Sequence, residues 1–151
     1  MPTKKNKRIV AVSGGFDPVH IGHIRMFKKA RSLGDHLVVI LNNDHWLHTK
    51  KGYAFMPQQQ RAEVLKSIRW VDEVVITKHK KGDPDTSVCK ALKALRPHIF
   101  ANGGDRKNDT TPEVQLCREL GITLVFNTGG GKANSSSILV KEAAKKIAKK
   151  K

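Results

Sequence analysis

The sequence has few aromatic residues, only two cysteines and no long apolar run. Aromatic residues make up 5% of the 151 residues, too few rings for a platform that stacks single-stranded nucleic acid. Cys89 and Cys117 stand far apart with no CxxC partner, which argues against a disulfide framework and favours a reducing, cytoplasmic compartment. Because the apolar runs span only a few residues, we expect no membrane-spanning helix and no signal peptide.

Acidic residues are also scarce. The chain has 13 of them against 29 lysines and arginines, which gives a formal net charge of +16. The length suits a single domain over residues 1–151, with a basic extension at 1–7 and a lysine-rich helix end at 145–151. Such a charge favours an anionic partner: a nucleotide, a phosphorylated substrate, nucleic acid or an acidic membrane. Lysines that serve only solubility are the alternative for the two ends.

Short apolar runs alternate with segments of helical periodicity. The pattern predicts strands at residues 8–13, 36–41, 74–76, 99–101 and 123–126. It predicts helices at residues 18–32, 57–67, 85–95 and 111–120, and from about 135 onward, with a polar loop over 42–56. This βα alternation indicates an α/β fold, a Rossmann-like doubly wound parallel sheet of five strands with helices on both faces.

In such a sheet, ligands bind beyond the carboxyl ends of the strands. The first strand ends in Gly14 and Gly15, which let backbone N–H groups approach a phosphate next to a helix N-terminus. His20 and His23 are three residues apart and share one helix face. Two imidazoles at this place suit the stabilisation of charge that develops during phosphoryl or nucleotidyl transfer. The alternative is a structural role, in which the two histidines cap the helix or are simply exposed. A zinc site would need a third ligand that is not evident.

These residues resemble a known family. The GGFD string at 14–17, followed by HIGH at 20–23, resembles the HxGH nucleotidyltransferase superfamily, which joins a nucleoside triphosphate to a phosphorylated acceptor and releases pyrophosphate. Residues 97–106 are similar to the heptose-phosphate adenylyltransferase branch, and 134–137 to the serine-rich loop that opens the last helix. The positions of Lys50 and Arg69 in the chain resemble those of phosphate-binding residues in glycerol-phosphate cytidylyltransferases. The opening GGFDPVH also looks like nicotinate mononucleotide adenylyltransferases, which stay an alternative.

The resemblance implies a role for specific residues. Those implied in catalysis are His20, His23 and Lys50. Those implied in nucleotide binding are Gly14, Gly15, Phe16, Gly104, Asp105, Lys132, Ser135, Ser136 and Ser137. Those implied in acceptor binding are Asp17 and Arg69.

Each of these roles has a structural alternative. Asp17 orders the glycine turn or caps the first helix, and Lys50 is otherwise a solvated lysine of the 42–56 loop. Arg69 is otherwise part of a structural ion pair. One serine at 135–137 is otherwise a plain helix cap. Lys132 replaces an arginine of the cytidylyltransferases, and a lysine cannot offer the same bidentate contact.

The sequence therefore predicts an enzyme that transfers AMP or CMP from ATP or CTP to a small phosphorylated sugar or alditol. The resemblance implies Mg²⁺ bridging the phosphates as the cofactor, no metal site built by the protein, and a cytoplasmic homodimer. A non-catalytic nucleic-acid-binding module on the same fold is the rival hypothesis, but the shortage of aromatic residues makes nucleic acid an unlikely partner.

Overall fold

Five parallel strands alternate with six helices in the computed structural model of the chain, which describes residues 6–103, 111–130 and 134–150. The strands are β1 (Ile9–Gly14), β2 (His36–Leu41), β3 (Glu73–Ile76), β4 (Ile99–Ala101) and β5 (Thr123–Val125). The helices are α1 (Ile21–Ser32), α2 (Asp44–Lys51), α3 (Gln58–Lys66), α4 (Cys89–Leu95), α5 (Pro112–Leu120) and α6 (Ser136–Lys149).

The strand order in the sheet is β3-β2-β1-β4-β5. All neighbouring pairs are parallel, and β1 pairs with β2 on one side and with β4 on the other. Strands β2 and β3 are added on one side of β1, and strands β4 and β5 on the other. The carboxyl ends of β1 and β4 therefore mark the topological switch point. The predicted five-stranded Rossmann-like sheet is confirmed.

Apolar side chains cover both faces of the sheet. On one face, Val10 and Val12 of β1 pack with Phe27 of α1 and Leu65 of α3. On the other face, a second cluster joins the strands to α4 and α5. Because β1 and β2 are buried on both sides, they consist of nearly uninterrupted apolar residues, which is why the sequence revealed them.

The prediction of a loop over 42–56 was wrong, because helix α2 occupies most of this segment. The Asn43 side chain accepts a hydrogen bond from the Trp46 N–H at 3.0 Å and caps the helix. Gly52 ends the helix in the left-handed conformation, with φ 84°. Only Leu47 of α2 is fully buried. The segment therefore shows little apolar periodicity, and its sequence predicts a polar loop.

Two other helix starts differ from the prediction. Helix α1 begins at Ile21 rather than near residue 18, because His20 is its cap. Helix α4 begins at Cys89 rather than at 85 or 86, because the Asp85 carboxylate accepts from the N–H and the hydroxyl of Ser87 instead of capping the helix. In α6, residues 141–149 are all exposed.

Candidate active site

The first turn of α1 holds the two histidines in a reciprocal arrangement. His20 Nδ1 accepts from the Gly22 N–H at 3.1 Å, and His23 Nδ1 accepts from the His20 N–H at 3.2 Å. The two rings stack with centroids 3.7 Å apart and planes 26° apart. Because a neutral imidazole that accepts at Nδ1 carries its proton at Nε2, both rings are fixed as Nε2–H donors at a helix N-terminus.

His23 is neutral at physiological pH. Burial, the neighbouring His20 and the nearby Lys51 together lower the pKa of His23 from 6.5 to about 3. The edge of the Phe16 ring contacts His23 with centroids 4.8 Å apart and adds to its burial. A neutral ring donates a hydrogen bond to a phosphate oxygen without requiring a proton from solvent, which suits stabilisation of charge in a transition state.

The glycine turn between β1 and α1 would accept a side chain at two positions only if a neighbouring side chain moved. A Cβ on Gly14 would lie 2.9 Å from Phe16 Cζ, and one on Gly15 would lie 3.0 Å from Leu47 Cδ2. Phe16 itself has φ 47° and is 4% exposed. The turn is therefore tightly packed, and its backbone is the part that lies next to the α1 N-terminus.

Two long-range side chains hold this turn. Both Asp17 oxygens accept backbone N–H groups, from Phe55 at 2.6 Å and from Met56 at 2.7 Å. Asp17 is 1% exposed, and the cap of α1 is His20, so Asp17 is not the helix cap. Its carboxylate ties the turn to the segment that precedes α3, and its predicted contact with the acceptor stays a prediction.

Arg61 of α3 is the second of these side chains. Its guanidinium donates to the carbonyls of Met56 at 2.8 Å, Gly15 at 2.8 Å and Asn42 at 2.7 Å, and it pairs with Asp44 at 2.7 Å. The side chain is 1% exposed. The planar guanidinium thus joins the glycine turn, the end of β2 and the first turn of α2 around one buried charge.

The N-terminus of α6 lies against the same region. Ser136 donates its hydroxyl proton to the Pro18 carbonyl at 2.7 Å and is 8% exposed. Ser135 is the cap residue but makes no side-chain cap hydrogen bond, and its N–H donates to Asn134. The bond from Ser136 places the start of α6 next to Pro18, two residues before the histidine motif. The predicted role of serines 135–137 in nucleotide binding stays a prediction.

A cavity of about 580 Å³ opens beside the glycine turn, at the carboxyl ends of β1, β2 and β4. It lies at the topological switch point and has the size of a small-molecule site. Its polar and charged lining residues are Ser13, Asn42, Lys50, Asp85, Thr86, Ser87, Asn102, Thr111 and Glu113. Gly14, Trp46, Pro84, Val88, Gly103 and Pro112 complete the lining. Lys50, predicted in a loop, reaches this cavity from α2.

Arg69, a predicted acceptor-binding residue, lies away from the histidine motif. It precedes β3, whose first residue, Glu73, pairs with Val38 near the start of β2. Arg69 therefore lies at the amino ends of the strands, opposite the histidine motif, where its guanidinium is 5.6 Å from the Trp70 ring centroid. The predicted contact of Arg69 with the acceptor stays a prediction. Gly104, Asp105 and Lys132 lie outside the described residues, as do 1–5 and Lys151.

The sequence analysis missed several residues that build the site. Arg61 and Trp46 were given no role in the site, because their contacts depend on the tertiary fold. A polar residue at the end of each central strand was the available signal for the cavity: Asn42 follows β2 and Asn102 follows β4. Among the described residues, no helix is long and apolar enough to span a membrane, and no three or more His, Cys, Asp or Glu side chains converge as metal ligands would.

Comparison with known proteins identifies the family to which the chain belongs. The model of the family described as "Cytidylyltransferase-like" matches residues 11–128. The chain is 40% identical over 119 residues to an FAD synthase of Pyrococcus abyssi, which covers 78% of this chain and 77% of that protein. It is 41% identical to the bifunctional protein HldE of Pelobacter propionicus over 118 residues, which are 77% of this chain and 22% of that protein.

A solved structure has the same fold. The lipopolysaccharide core biosynthesis protein from Thermoplasma volcanium superposes with a TM-score of 0.65 at 26% sequence identity, covering 80% of this chain and 94% of that chain. The matched family segment contains most of β1, the histidine motif and the other four strands. The chain belongs to the cytidylyltransferase-like family and is a nucleotidyltransferase.

Proposed function

We propose that the protein transfers AMP from ATP to a small phosphorylated sugar or alditol and releases pyrophosphate. The single observation that carries the proposal is the pair of fixed imidazoles, His20 and His23, at the start of the helix that follows the glycine turn. Gly14 of that turn lines the polar cavity at the switch point. The acceptor phosphate oxygen attacks the α-phosphorus of ATP, a new P–O bond forms, and the bond to the departing pyrophosphate breaks. No protein side chain needs to act as a nucleophile.

The chain's own residues supply positioning and charge stabilisation. The Nε2–H groups of His20 and His23 donate to triphosphate oxygens as negative charge develops there. The α6 N-terminus adds its helix dipole and backbone N–H groups from the side of Ser136. Lys50, on α2, supplies a positive charge at the mouth of the cavity, where the acceptor phosphate must approach the triphosphate.

The cavity chemistry supports a polyhydroxylated acceptor. Two carboxylates, Asp85 and Glu113, and the Ser87 hydroxyl line it. Asn42 also lines it, is 4% exposed, and its Oδ1 has no hydrogen-bond partner among the described residues. Buried acceptors of this kind favour ligands that donate hydroxyl groups. Trp46 is the single aromatic side chain in the described lining, which makes a flat isoalloxazine a poorer fit than a sugar.

The comparisons favour adenylyl transfer and define a second candidate. FAD contains an adenylyl group, and the chain is 40% identical in sequence to an FAD synthase. Residues 97–106 also resemble heptose-phosphate adenylyltransferases. Flavin mononucleotide as the acceptor is therefore the second candidate function, and it uses the same histidines and the same triphosphate.

Magnesium is expected to enter with the triphosphate. The described residues contain no cluster of three or more metal-binding side chains, and both oxygens of Asp17, the carboxylate in the glycine turn, accept backbone N–H groups. The described part of the chain thus does not fit a Mg²⁺ site built by protein ligands alone. Phosphate oxygens would hold the ion, which would neutralise charge on the triphosphate.

A pyrophosphate-release screen tests the proposal. ATP, CTP, GTP and UTP are each combined with glycerol 3-phosphate, a panel of aldose 1-phosphates, nicotinamide mononucleotide and flavin mononucleotide. We expect release with ATP and one of the sugar or alditol phosphates. Release with flavin mononucleotide alone would establish the second candidate. A requirement for CTP, or no release with any pair, would contradict the proposal.

A lysine pair adds a matched control to this screen. Lys50→Gln removes a charge at the cavity mouth and is expected to raise the acceptor KM. Lys66→Gln removes an exposed charge from the end of α3, away from the cavity, and should leave the KM unchanged. Equal effects of the two substitutions would mean that only the overall positive charge matters.

We also propose that the protein works as a homodimer in the cytoplasm. In the structure, Cys89 and Cys117 are both free thiols, which is compatible with a reducing compartment. Burial raises the pKa of the Cys117 thiol to about 11, so this thiol is unreactive at neutral pH. Sedimentation equilibrium tests the oligomeric state: a mass near twice 16.8 kDa supports the dimer, and a mass near 16.8 kDa refutes it.

A further inference from the structure

One wall of the cavity is an irregular segment between β3 and α4. Residues 84–88 all line the cavity, and none of them belongs to a helix or a strand. We call these residues the wall segment. A loop of this kind binds a ligand well only when its backbone is held in place beforehand, because ordering it on binding would cost conformational entropy.

Side chains from three different parts of the fold hold three consecutive residues of the wall segment. Trp46 Nε1 donates to the Thr86 carbonyl at 2.8 Å. His79 Nε2 lies 2.9 Å from the Ser87 carbonyl. The Val88 N–H donates to Glu113 Oε1 at 3.1 Å. All three contacts are made to the backbone, so they fix the position of the wall whatever its side chains are.

The bond from His79 is part of a directed chain of donors. The Asn43 N–H donates to Thr77 Oγ1 at 3.0 Å, and Thr77 Oγ1 lies 2.8 Å from His79 Nδ1. The Ser87 carbonyl can only accept, so His79 carries a proton at Nε2 and donates it to this carbonyl. The Asn43 side-chain amide also donates to the His79 carbonyl. The network therefore connects the start of α2, the end of β3 and the wall segment.

We propose that Trp46 and His79 are positioning residues that fix the wall segment and thereby set how tightly the acceptor is bound. This proposal rests on the proposed function, in which the acceptor occupies this cavity. Trp46 lies on α2, the helix that also carries Lys50, so its bond to Thr86 sets the distance between the charged mouth of the cavity and the opposite wall.

The substitution Trp46→Phe tests this directly, because it keeps an aromatic ring and removes the Nε1–H donor. Trp70→Phe is the matched control, since Trp70 lies at the amino ends of the strands and stacks with the side chains of Lys28 and Arg69. The first measurement is amide hydrogen exchange over residues 84–88. We expect faster exchange there in Trp46→Phe and exchange like the wild type in Trp70→Phe.

The second measurement separates the acceptor from the triphosphate. Losing one hydrogen bond to a wall carbonyl should raise the KM of the acceptor found in the screen by about 2- to 10-fold. The KM for ATP and kcat should stay within about twofold, because the bond lies outside the glycine turn. His79→Phe should likewise raise the acceptor KM and leave the KM for ATP and kcat nearly unchanged. His79→Gln, which keeps a donor, should have an acceptor KM between those of the wild type and His79→Phe.

Each outcome of these measurements is decisive. Unchanged exchange over 84–88 in Trp46→Phe would overturn the proposal, and so would faster exchange with an unchanged acceptor KM. An equal rise in the KM for ATP would also overturn it, because Trp46 lies near Gly15 and would then support the triphosphate turn instead. If no acceptor is found, the proposed function fails, and the exchange comparison alone still decides whether Trp46 holds the wall.

Discussion

Replacing Arg61 by lysine keeps the buried positive charge but removes the planar guanidinium that holds four partners. Three nitrogens of Arg61 reach the carbonyls of Met56, Gly15 and Asn42 and the carboxylate of Asp44, at 2.7 to 2.8 Å. A lysine ammonium is a single nitrogen and cannot take the positions of three guanidinium nitrogens at once. At least two of these contacts are therefore lost in a side chain that is 1% exposed.

The magnitude follows from the contacts that are lost. Each hydrogen bond to a charged group is worth about 1.5–3 kcal/mol, so losing two lowers the free energy of unfolding by about 3–6 kcal/mol. For a chain of this size, this corresponds to a fall in Tm of about 6–24 °C. Thermal unfolding followed by circular dichroism measures the change.

Arg31→Lys is the matched control. Arg31 also pairs with an aspartate, Asp72, at 2.9 Å, and donates to the Gly34 carbonyl. Its side chain and that of Asp72 are about one third exposed, so we expect a loss of at most about 1 kcal/mol. Equal changes in Tm for the two arginines would refute the argument that Arg61 joins the turn, β2 and α2 through its planar geometry.

Three further predictions follow from the site. Since the pKa of His23 is lowered to about 3, its ring should show no NMR titration between pH 8 and 5; because the folded pKa lies below the unfolded value, His23 should contribute stability that is present above about pH 6.5 and lost as the pH falls toward 3. Ser136→Ala, which removes the hydrogen bond to Pro18, should raise the KM for ATP more than the acceptor KM; a lower Tm with unchanged kinetics would show a purely structural serine. Deleting residues 145–151 should leave Tm and kcat unchanged, because Ile147 is 64% exposed; a loss of folding would show that Ile147 packs against the body.

The order of strands and helices was predictable because it depends on local patterns. Strands that are buried on both faces consist of short apolar runs, and such a run can be recognised without knowing its neighbours. Helix α2 was missed because its sequence, DHWLHTKK, buries only Leu47 completely. Its cap, Asn43, and its terminal glycine, Gly52, were visible in the sequence, but they flanked a segment with little apolar periodicity.

The site was predictable only in part, for a related reason. The histidine motif is local: four residues contain both rings and both capping hydrogen bonds. Asp17 was correctly expected to order the glycine turn, but its partners lie 38 and 39 residues away. Arg61 and Trp46 act entirely through tertiary contacts. For Arg69 the resemblance gave a position in the chain, whereas its position in space, at the amino ends of the strands, depends on the fold.

Transfer of the α-phosphate tests the central claim most directly. Asparagine at position 20 or 23 keeps an acceptor near the place of Nδ1, and asparagine is also a good helix cap, but it removes the Nε2–H donor. Wild-type protein is incubated with ATP labelled at the α-phosphate and the acceptor identified by the screen, alongside His20→Asn and His23→Asn. We predict that label moves to the acceptor in the wild type, and that kcat falls by about 10²–10³ in each variant with Tm little changed. Label transfer at the wild-type rate in either variant would contradict the account.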